Sequence, residues 1–277
     1  IGLVRYFHRE QFDLVYSVTP KAGLLAMSAS RIVGISRRMH TFTGQVWATR
    51  KGFARLLLRS MDSLIAALAT TVLVDSHSQR DFLVINRVVH ESKTRVLCDG
   101  SISGVDLGRF EPDFAVRAAI RDKLSVTDDT VVFLYVGRLK RDKGIIELVK
   151  AFRDLGDGNS GIGLWIVGPD EDNIQAECEG LLSAQLGAVR FVPFTSKPED
   201  YMKASDIFCL PSYREGFGST IIEAAACGVP SVATRIYGLI DAVEDGTTGV
   251  LVSVRDVNQL KSAMQRLADD KSYRAKM

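Results

Sequence analysis

The sequence predicts an α/β fold in two halves, each a parallel sheet covered by helices. Short apolar segments typical of buried strands alternate with helical patterns along the chain. This alternation is interrupted by residues 100–112, where three glycines and a proline give the segment the character of a linker. At 277 residues the chain is long enough for two domains of ordinary size. We therefore assign residues 1–108 to a first domain and 109–277 to a second.

The first half contains strands and helices in strict alternation. Thr19 and Pro20 form a typical helix start, with an N-cap followed by proline at the first helical position. Residues 52–69 carry apolar side chains at helical spacing. The predicted order is strand 13–18, helix 21–32, strand 38–42, helix 52–69, strand 71–74, helix 76–89 and strand 95–98.

The second half repeats the pattern. The predicted order is helix 116–124, strand 130–136, helix 145–152, strand 163–167, helix 174–186, strand 189–192, a short helix from residue 198, strand 207–210, a helix through residue 226, strands 231–234 and 249–252, and helix 257–267. Strands that alternate with helices in this way form parallel sheets, so we predict two Rossmann-like halves.

Composition is that of a soluble globular protein, with 46% hydrophobic and 25% charged residues. No uninterrupted apolar run approaches the roughly 18 residues of a membrane-spanning helix. The four cysteines are far apart and lack metal-ligand spacing, so we predict reduced core thiols of a cytoplasmic protein. They are Cys98, Cys178, Cys209 and Cys227.

The net charge of +2 conceals an asymmetry between the halves. Residues 1–112 hold 15 Lys and Arg against 9 Asp and Glu, whereas the remainder holds 20 against 24. Residues 31–59 contain seven basic residues and no acidic one. Such a stretch suits an anionic membrane surface, a pyrophosphate or a nucleic acid, and scattered solvated charge is the alternative interpretation.

Residues 212–223 combine three features of an anion site. A predicted strand ends at Pro211, a Gly-Phe-Gly bend follows, and a helix then begins. The first turn of a helix has unpaired N–H groups and the positive end of the dipole. Glu215 and Glu223 add two carboxylates, so the stretch suits a phosphorylated sugar. As an alternative, Thr220 and Glu223 fit a capping box, in which Glu223 only starts the helix and Glu215 is a solvated loop acid.

Two further loops are predicted at the same sheet edge, because ligands of doubly wound sheets bind outside the carboxyl ends of the strands. Residues 137–144 carry Arg138 and Lys143, which could neutralise a pyrophosphate, whereas Lys140 and Arg141 are interpreted as solvated loop residues. Residues 235–241 form the other loop. The phosphate-binding glycine motifs of NTPases and dinucleotide dehydrogenases are absent, which weakens both assignments.

Taken in order, these motifs resemble those of the retaining GT-B glycosyltransferases of family four, in particular the members that assemble bacterial polysaccharides. Any single motif is weak, but the ordered set covers nearly the whole chain. The motifs are Thr19-Pro-Lys-Ala-Gly23, His40-Thr-Phe-Thr-Gly-Gln-Val-Trp47, Asp75-Ser76, Gly104-Val-Asp106, Gly137-Arg-Leu with Lys143-Gly144, Glu215 and Glu223 around Gly-Phe-Gly, Gly228-Val-Pro230, and Asp245-Gly-Thr-Thr-Gly-Val-Leu-Val252.

The resemblance implies a role for each matching residue. Arg138 and Lys143 would bind the diphosphate of a nucleotide-sugar and assist its departure. Glu223 would bind the ribose hydroxyls, and Glu215 would face the donor sugar. The remaining assignments are the backbone N–H groups of Phe217, Gly218 and Ser219 for sugar and phosphate oxygens, and His40 for the donor sugar or reacting centre. Transfer would proceed with retention, by front-side attack, and without a metal or other cofactor.

The resemblance also implies the partners. The donor would be a nucleotide-sugar, with UDP favoured over GDP by resemblance alone, and the acceptor a lipid-linked glycan or polysaccharide. Residues 31–59 would meet an anionic membrane at the inner face of the cell membrane, and no nucleic acid is expected. Relatives have an earlier strand and glycine-rich loop, so the first domain is predicted to be incomplete. Two alternatives remain open: a GT-B sugar-nucleotide epimerase and a non-catalytic nucleotide-sugar-binding module.

Overall fold

A computed structural model describes residues 2–156 and 161–277. The chain divides into two compact units. The first consists of Ile1–Ser103 together with Arg214–Phe217, and the second of Gly104–Tyr213 and Gly218–Met277. The short segment Arg214–Phe217 therefore packs with the first unit although the chain on either side of it belongs to the second.

The first unit is a parallel sheet with the strand order β1-β2-β3-β4. Its register aligns Ser17 of β1 with His40 of β2, and His40 with Val72 of β3. The elements are α1 (Gly2–Glu10), β1 (Leu14–Ser17), α2 (Pro20–Val33), β2 (Arg37–Phe42), a 3-10 turn (Val46–Thr49), α3 (Gly52–Leu68), β3 (Thr71–Val74), α4 (His77–Ile85), a second 3-10 turn (Glu91–Lys93) and β4 (Thr94–Val96).

The second unit is a larger parallel sheet with the strand order β10-β9-β8-β5-β6-β7. Its elements are α5 (Phe114–Lys123), β5 (Val131–Val136), a 3-10 turn (Arg141–Lys143), α6 (Ile145–Gly156), β6 (Ile162–Val167), α7 (Gln175–Leu182), a 3-10 segment (Ser183–Ala188), β7 (Val189–Val192), α8 (Pro198–Ala204), β8 (Ile207–Leu210), α9 (Ser219–Ala226), β9 (Ser231–Thr234), α10 (Leu239–Ala242), β10 (Gly249–Val252), α11 (Val257–Asp269) and α12 (Lys271–Arg274).

Each unit has its own hydrophobic core between its sheet and helices. Every residue of β6 and β8 is buried, as expected for central parallel strands covered on both faces. In the first unit, Met27, Ile65, Val72 and Leu83 have no exposed surface and belong to one apolar cluster.

The predicted fold class, two Rossmann-like α/β domains of the GT-B type, is confirmed. Most strands lie within two residues of their predicted positions. The boundary after residue 108 and the incomplete first domain stay predictions.

Several element boundaries differ from those predicted, for local reasons. The helix predicted to reach residue 89 ends at Ile85, because Arg87 adopts a left-handed φ of 54°. The strand predicted at 95–98 lies at Thr94–Val96, and Cys98 beyond it also has a left-handed φ. The helix predicted at 174–186 changes from α to 3-10 geometry after Leu182.

Among the described residues, three α-helices were not predicted from the sequence. They are α1, the short helix α10 and the terminal helix α12. The assignment of every cysteine to the core was also wrong for one residue, because Cys98 is exposed while the other three are buried. Within the residues described, no helix combines the length and apolarity needed to cross a bilayer.

Candidate functional site

The second sheet reverses its winding direction between β5 and β8. These two strands are hydrogen-bonded neighbours, and the chain proceeds outward from β5 through β6 and β7 but from β8 through β9 and β10. In an open parallel sheet, the crevice at this reversal is where ligands bind. The loops that follow β5 and β8 are two of the three that the sequence predicts at this edge; the third, residues 235–241, follows β9.

A backbone hydrogen bond and a close backbone contact join these two loops. The backbone N–H of Tyr213, after β8, donates a 2.8 Å hydrogen bond to the carbonyl of Asp142, after β5. Gly144 has a left-handed φ of 72°, and a β-carbon there would overlap the carbonyl oxygen of Pro211. Glycine is therefore required at position 144 for both conformation and space.

Tyr213 anchors this junction, and the sequence analysis gave it no role. Its hydroxyl is hydrogen-bonded to Glu147 of α6, and the guanidinium of Arg255 lies 4.4 Å from its ring centroid. Burial, followed by the hydrogen bond to Glu147, raises the pKa of Tyr213 to about 12. The partners come from distant parts of the chain, so no local sequence signal reveals them.

The cations after β5 differ in their contacts, and the diphosphate-binding role of Arg138 and Lys143 stays a prediction. Lys140 pairs with Glu171 at 2.9 Å, and Arg141 pairs with Glu177 at 2.5 Å, so both act in local ion pairs. Arg138 is 55% exposed and reaches Glu171 only at 3.4 Å. An exposed pair of this length is weak, and a dianion could displace it. Lys143 closes the 3-10 turn of the same loop.

Helix α9 begins at Ser219, and its N-cap is Gly218 with a left-handed φ of 83°. Thr220 is thus already the second helical residue, and Glu223 lies two residues beyond the N3 position that a capping box requires. The capping-box interpretation is therefore wrong. Gly218 has no side chain to accept from the first-turn N–H groups, which is typical of helix starts that bind anions.

Glu223 is a half-buried carboxylate without a hydrogen-bonding partner among residues 2–156 and 161–277. Burial raises its pKa, the charge of Arg109 lowers it, and the charge of Glu199 raises it. Arg109 itself donates to Glu199 at 2.7 Å. A carboxylate that is desolvated and left unpaired favours a ligand that donates hydrogen bonds, such as a vicinal diol.

Glu215 and Phe217 group with the first unit rather than with Glu223. The intervening Gly216 lies between the carbonyl of Thr43 and the carboxylate of Asp75, and a β-carbon there would overlap both. Phe217 is 9% exposed and Glu215 is half-buried. The roles predicted for Glu215 and for the backbone of Phe217 stay predictions.

His40 lies in the core of the first unit, without exposed surface. Its Nδ1 is 2.8 Å from the Ser17 hydroxyl, and its ring packs edge-on against Phe42. The ring lies over Gly23, where a β-carbon would approach it to 2.5 Å. Burial lowers the pKa of His40 to about 4, so the ring is neutral at pH 7. Its Nε2 is buried without a partner among the described residues, and the predicted contact with a donor sugar stays a prediction.

Asp75, at the end of β3, is a buried carboxylate that the sequence analysis quoted only as part of a motif. It is 6% exposed, and burial raises its pKa to about 6. Its Oδ1 has no partner within the described chain. An acidic residue directly after an apolar strand was the available signal for it. Among the described residues, no group of three or more His, Cys, Asp or Glu side chains could hold a metal ion.

A family model described as glycosyl transferases group 1 matches residues 116–277. This match covers more than half of the chain and includes the loops after β5 and β8. The chain belongs to this family.

Curated relatives extend the similarity to the first unit. The capsular polysaccharide biosynthesis glycosyltransferase CapM of Staphylococcus aureus is 31% identical over 276 residues, which covers 99% of this chain and 72% of CapM. A UDP-Gal:alpha-D-GlcNAc-diphosphoundecaprenol alpha-1,3-galactosyltransferase of Escherichia coli is 26% identical, covering 98% of this chain and 70% of its own length.

Solved structures show the same fold. Anabaena HepE in complex with UDP superimposes with a TM-score of 0.84 at 22% identity, covering 99% of this chain and 73% of HepE. The sucrose-phosphate synthase of Thermosynechococcus elongatus gives a TM-score of 0.79 at 27% identity, covering 98% and 68%.

Proposed function

We propose that this protein is a retaining glycosyltransferase that moves a sugar from a UDP-sugar to a lipid-linked or polysaccharide acceptor in bacterial surface glycan synthesis. The observation that carries the proposal is the site at the switch point between β5 and β8. One loop presents exposed Arg138, and the helix after the other presents unpaired Glu223. The names of the relatives from S. aureus and E. coli support the acceptor class.

In this proposal, Arg138 and Lys143 bind the donor diphosphate and neutralise the charge that develops as it departs. The first turn of α9, at Gly218 and Ser219, binds phosphate or sugar oxygens. Glu223 accepts hydrogen bonds from the ribose hydroxyls. Uridine is proposed because neighbours of this fold, HepE among them, were solved with UDP.

The proposed chemistry is front-side displacement with retention, without a metal or other cofactor. The departing diphosphate would be stabilised by fixed cations and by the helix terminus rather than by a divalent ion. Glu215 and neutral His40 are proposed to contact the donor sugar. A neutral imidazole can accept a hydrogen bond from a sugar hydroxyl at Nε2 if the ring carries its proton on Nδ1. The enzyme is proposed to work at the cytoplasmic face of the membrane, where a lipid-linked acceptor is held.

The experiment is a transfer assay with radiolabelled UDP-sugars and a diphosphoundecaprenol-linked sugar, with and without EDTA. We expect Arg138→Ala to lower kcat/KM at least about 100-fold, as for loss of a group that stabilises transition-state charge. Arg141→Ala removes a cation from the same loop that is already paired with Glu177, and should retain most activity. NMR of the product should show the anomeric configuration of the donor.

Other outcomes would change the assignment. Equal losses for Arg138→Ala and Arg141→Ala would contradict the donor-diphosphate site. An inverted product would contradict retention, and inhibition by EDTA would contradict metal independence. Conversion of the UDP-sugar without an acceptor would indicate an epimerase, and binding without turnover would indicate a non-catalytic module.

A further inference from the structure

Helix α3 presents an outward face without a single charged residue. The large apolar side chains on it are well exposed: Phe53 by 78%, Leu56 by 59%, Leu57 by 50% and Leu64 by 48%. The complete outer face of α3, defined by its exposed residues, is Gly52, Phe53, Ala54, Leu56, Leu57, Ser60, Leu64 and Ala67. Solvent-facing sides of helices in globular proteins are normally polar or charged, so this face suits another environment.

The opposite side of α3 is firmly packed. Ile65 and Ala66 are buried in the core of the first unit. The indole N–H of Trp47 donates a 2.8 Å hydrogen bond to buried Asp62, and the Trp47 ring stacks on Phe82. Trp47 itself lies in the core of the first unit. The outer face is therefore held outward by a helix whose inner face is fixed.

The sequence around this face is rich in cations. Arg50 and Lys51 are exposed directly before α3, and Arg31 and Arg37 are exposed elsewhere in the basic stretch. Arg55 and Arg59 are half-buried beside the outer face, where Arg55 lies over the Trp47 ring and Arg59 donates to the carbonyl of Asn86. The sequence has no acidic residue between positions 13 and 62.

We propose that the outer face of α3 docks the protein on an anionic phospholipid bilayer, with Phe53, Leu56 and Leu57 entering the boundary between headgroups and acyl chains. A helix lying in the membrane plane requires an apolar face accompanied by Lys and Arg, and α3 combines its apolar outer face with Arg50 and Lys51 directly before it and with Arg55 and Arg59 in its first turns. A protein partner would need an apolar groove with acidic rims to match the same surface. The inference rests on the lipid-linked acceptor of the proposed function and assigns that acceptor's membrane contact to particular residues.

The first test is co-sedimentation of the purified protein with vesicles of phosphatidylcholine alone or mixed with phosphatidylglycerol. We expect binding to the mixed vesicles, weakened at least about tenfold without the anionic lipid or at high salt. Phe53→Asp and Leu57→Asp should each lower the partition coefficient at least about tenfold, because an apolar side chain is replaced by a charge. Phe114→Asp is the matched control, since Phe114 is 86% exposed but lies on α5 of the second unit, and its binding should not change.

A second readout reports insertion directly. Phe53→Trp should show a blue-shifted emission with mixed vesicles and quenching by brominated lipid. The native Trp47 and Trp165 are 1% and 0% exposed, so the change is attributable to position 53.

Three results would overturn the proposal. The first is no binding to anionic vesicles, and the second is vesicle binding that Phe53→Asp and Leu57→Asp leave intact. The third is a wild-type dimer that these variants dissociate, because a second copy of the chain would then cover the outer face of α3. Transfer to a short water-soluble acceptor analogue should be unchanged in Phe53→Asp. If the wild type does not transfer sugar to this soluble analogue, the proposed function is contradicted. If it transfers sugar normally but does not bind vesicles, only the docking surface is contradicted.

Discussion

The two units differ in how they treat charged side chains. In the second unit, cations are held in local ion pairs, as Arg117 and Arg121 are with Asp206, and Lys140 is with Glu171. In the first unit, Asp62 and Asp75 are buried with pKa values raised by desolvation, while a stretch of cations borders the uncharged face of α3.

This difference separates two kinds of surface. Paired charges at the sheet edge of the second unit fix loop geometry, which suits precise binding of a diphosphate. A stretch of cations without acidic neighbours in the sequence, next to exposed apolar side chains in the first unit, suits an anionic lipid surface. The predictions below test each half of the comparison, beginning with the largest expected effect.

The ion pairs of the second unit should be structural. Arg121 is 2% exposed and donates to Asp206 at 3.3 Å, so Asp206→Ala leaves a buried cation without its counter-ion. We expect a loss of about 3–5 kcal/mol in the free energy of unfolding, measured by urea denaturation. Asp128→Ala is the control, because Asp128 is 93% exposed and 3.7 Å from the same guanidinium. If the two variants lower the free energy of unfolding equally, burial of the Arg121–Asp206 pair contributes nothing to stability.

The contact between the two glycine loops should be sterically fixed. Gly144→Ala combines a left-handed φ with overlap of the Pro211 carbonyl, and we expect a loss of about 3 kcal/mol in the free energy of unfolding together with weaker UDP binding. Gly246→Ala has a similar φ of 84° but open space, so it should lose only about 1–2 kcal/mol. If the two variants lose the same stability, the loops are not held together at this point.

Buried Asp75 should make the first unit sensitive to pH. Burial raises its pKa from 3.8 to about 6, so the folded state retains the proton and the free energy of unfolding falls as pH rises between about 4 and 6. Asp75→Asn should therefore gain on the order of 3 kcal/mol relative to wild type across this window, and nothing further above it.

Denaturation curves at several pH values measure this difference. His40 contributes the opposite slope, because its pKa is lowered to about 4, but it does so equally in both proteins. Asp13→Asn, at an exposed position of the same unit, serves as the control. A pH-independent difference between Asp75→Asn and wild type would mean that the pKa of Asp75 is the same in the folded and unfolded protein, so that burial does not raise it.

The sequence was sufficient for the parallel sheets, because apolar segments and glycine turns are local signals. It also located the loops after β5 and β8, since motif order and strand ends determine them. It failed where long-range contacts decide the outcome. The junction of Tyr213 with Glu147, the burial of His40 and the grouping of Arg214–Phe217 with the first unit all depend on residues distant in the chain. The outward direction of Phe53 and Leu57 also required the structure, because helical spacing alone does not say which apolar side faces the core.

The central claim is that the loops after β5 and β8, with Glu223, form the site of a nucleotide-sugar. It is tested most directly by calorimetric titration of the protein with UDP, GDP, ADP and dTDP, repeated on Glu223→Ala and on Glu111→Ala, which removes an exposed acid of the same unit. The account predicts selective binding of UDP, weakened at least about tenfold in Glu223→Ala, as for loss of hydrogen bonds to a charged group, and unchanged in Glu111→Ala. Equal UDP affinity in all three proteins, or binding of none of the nucleotides, would contradict it.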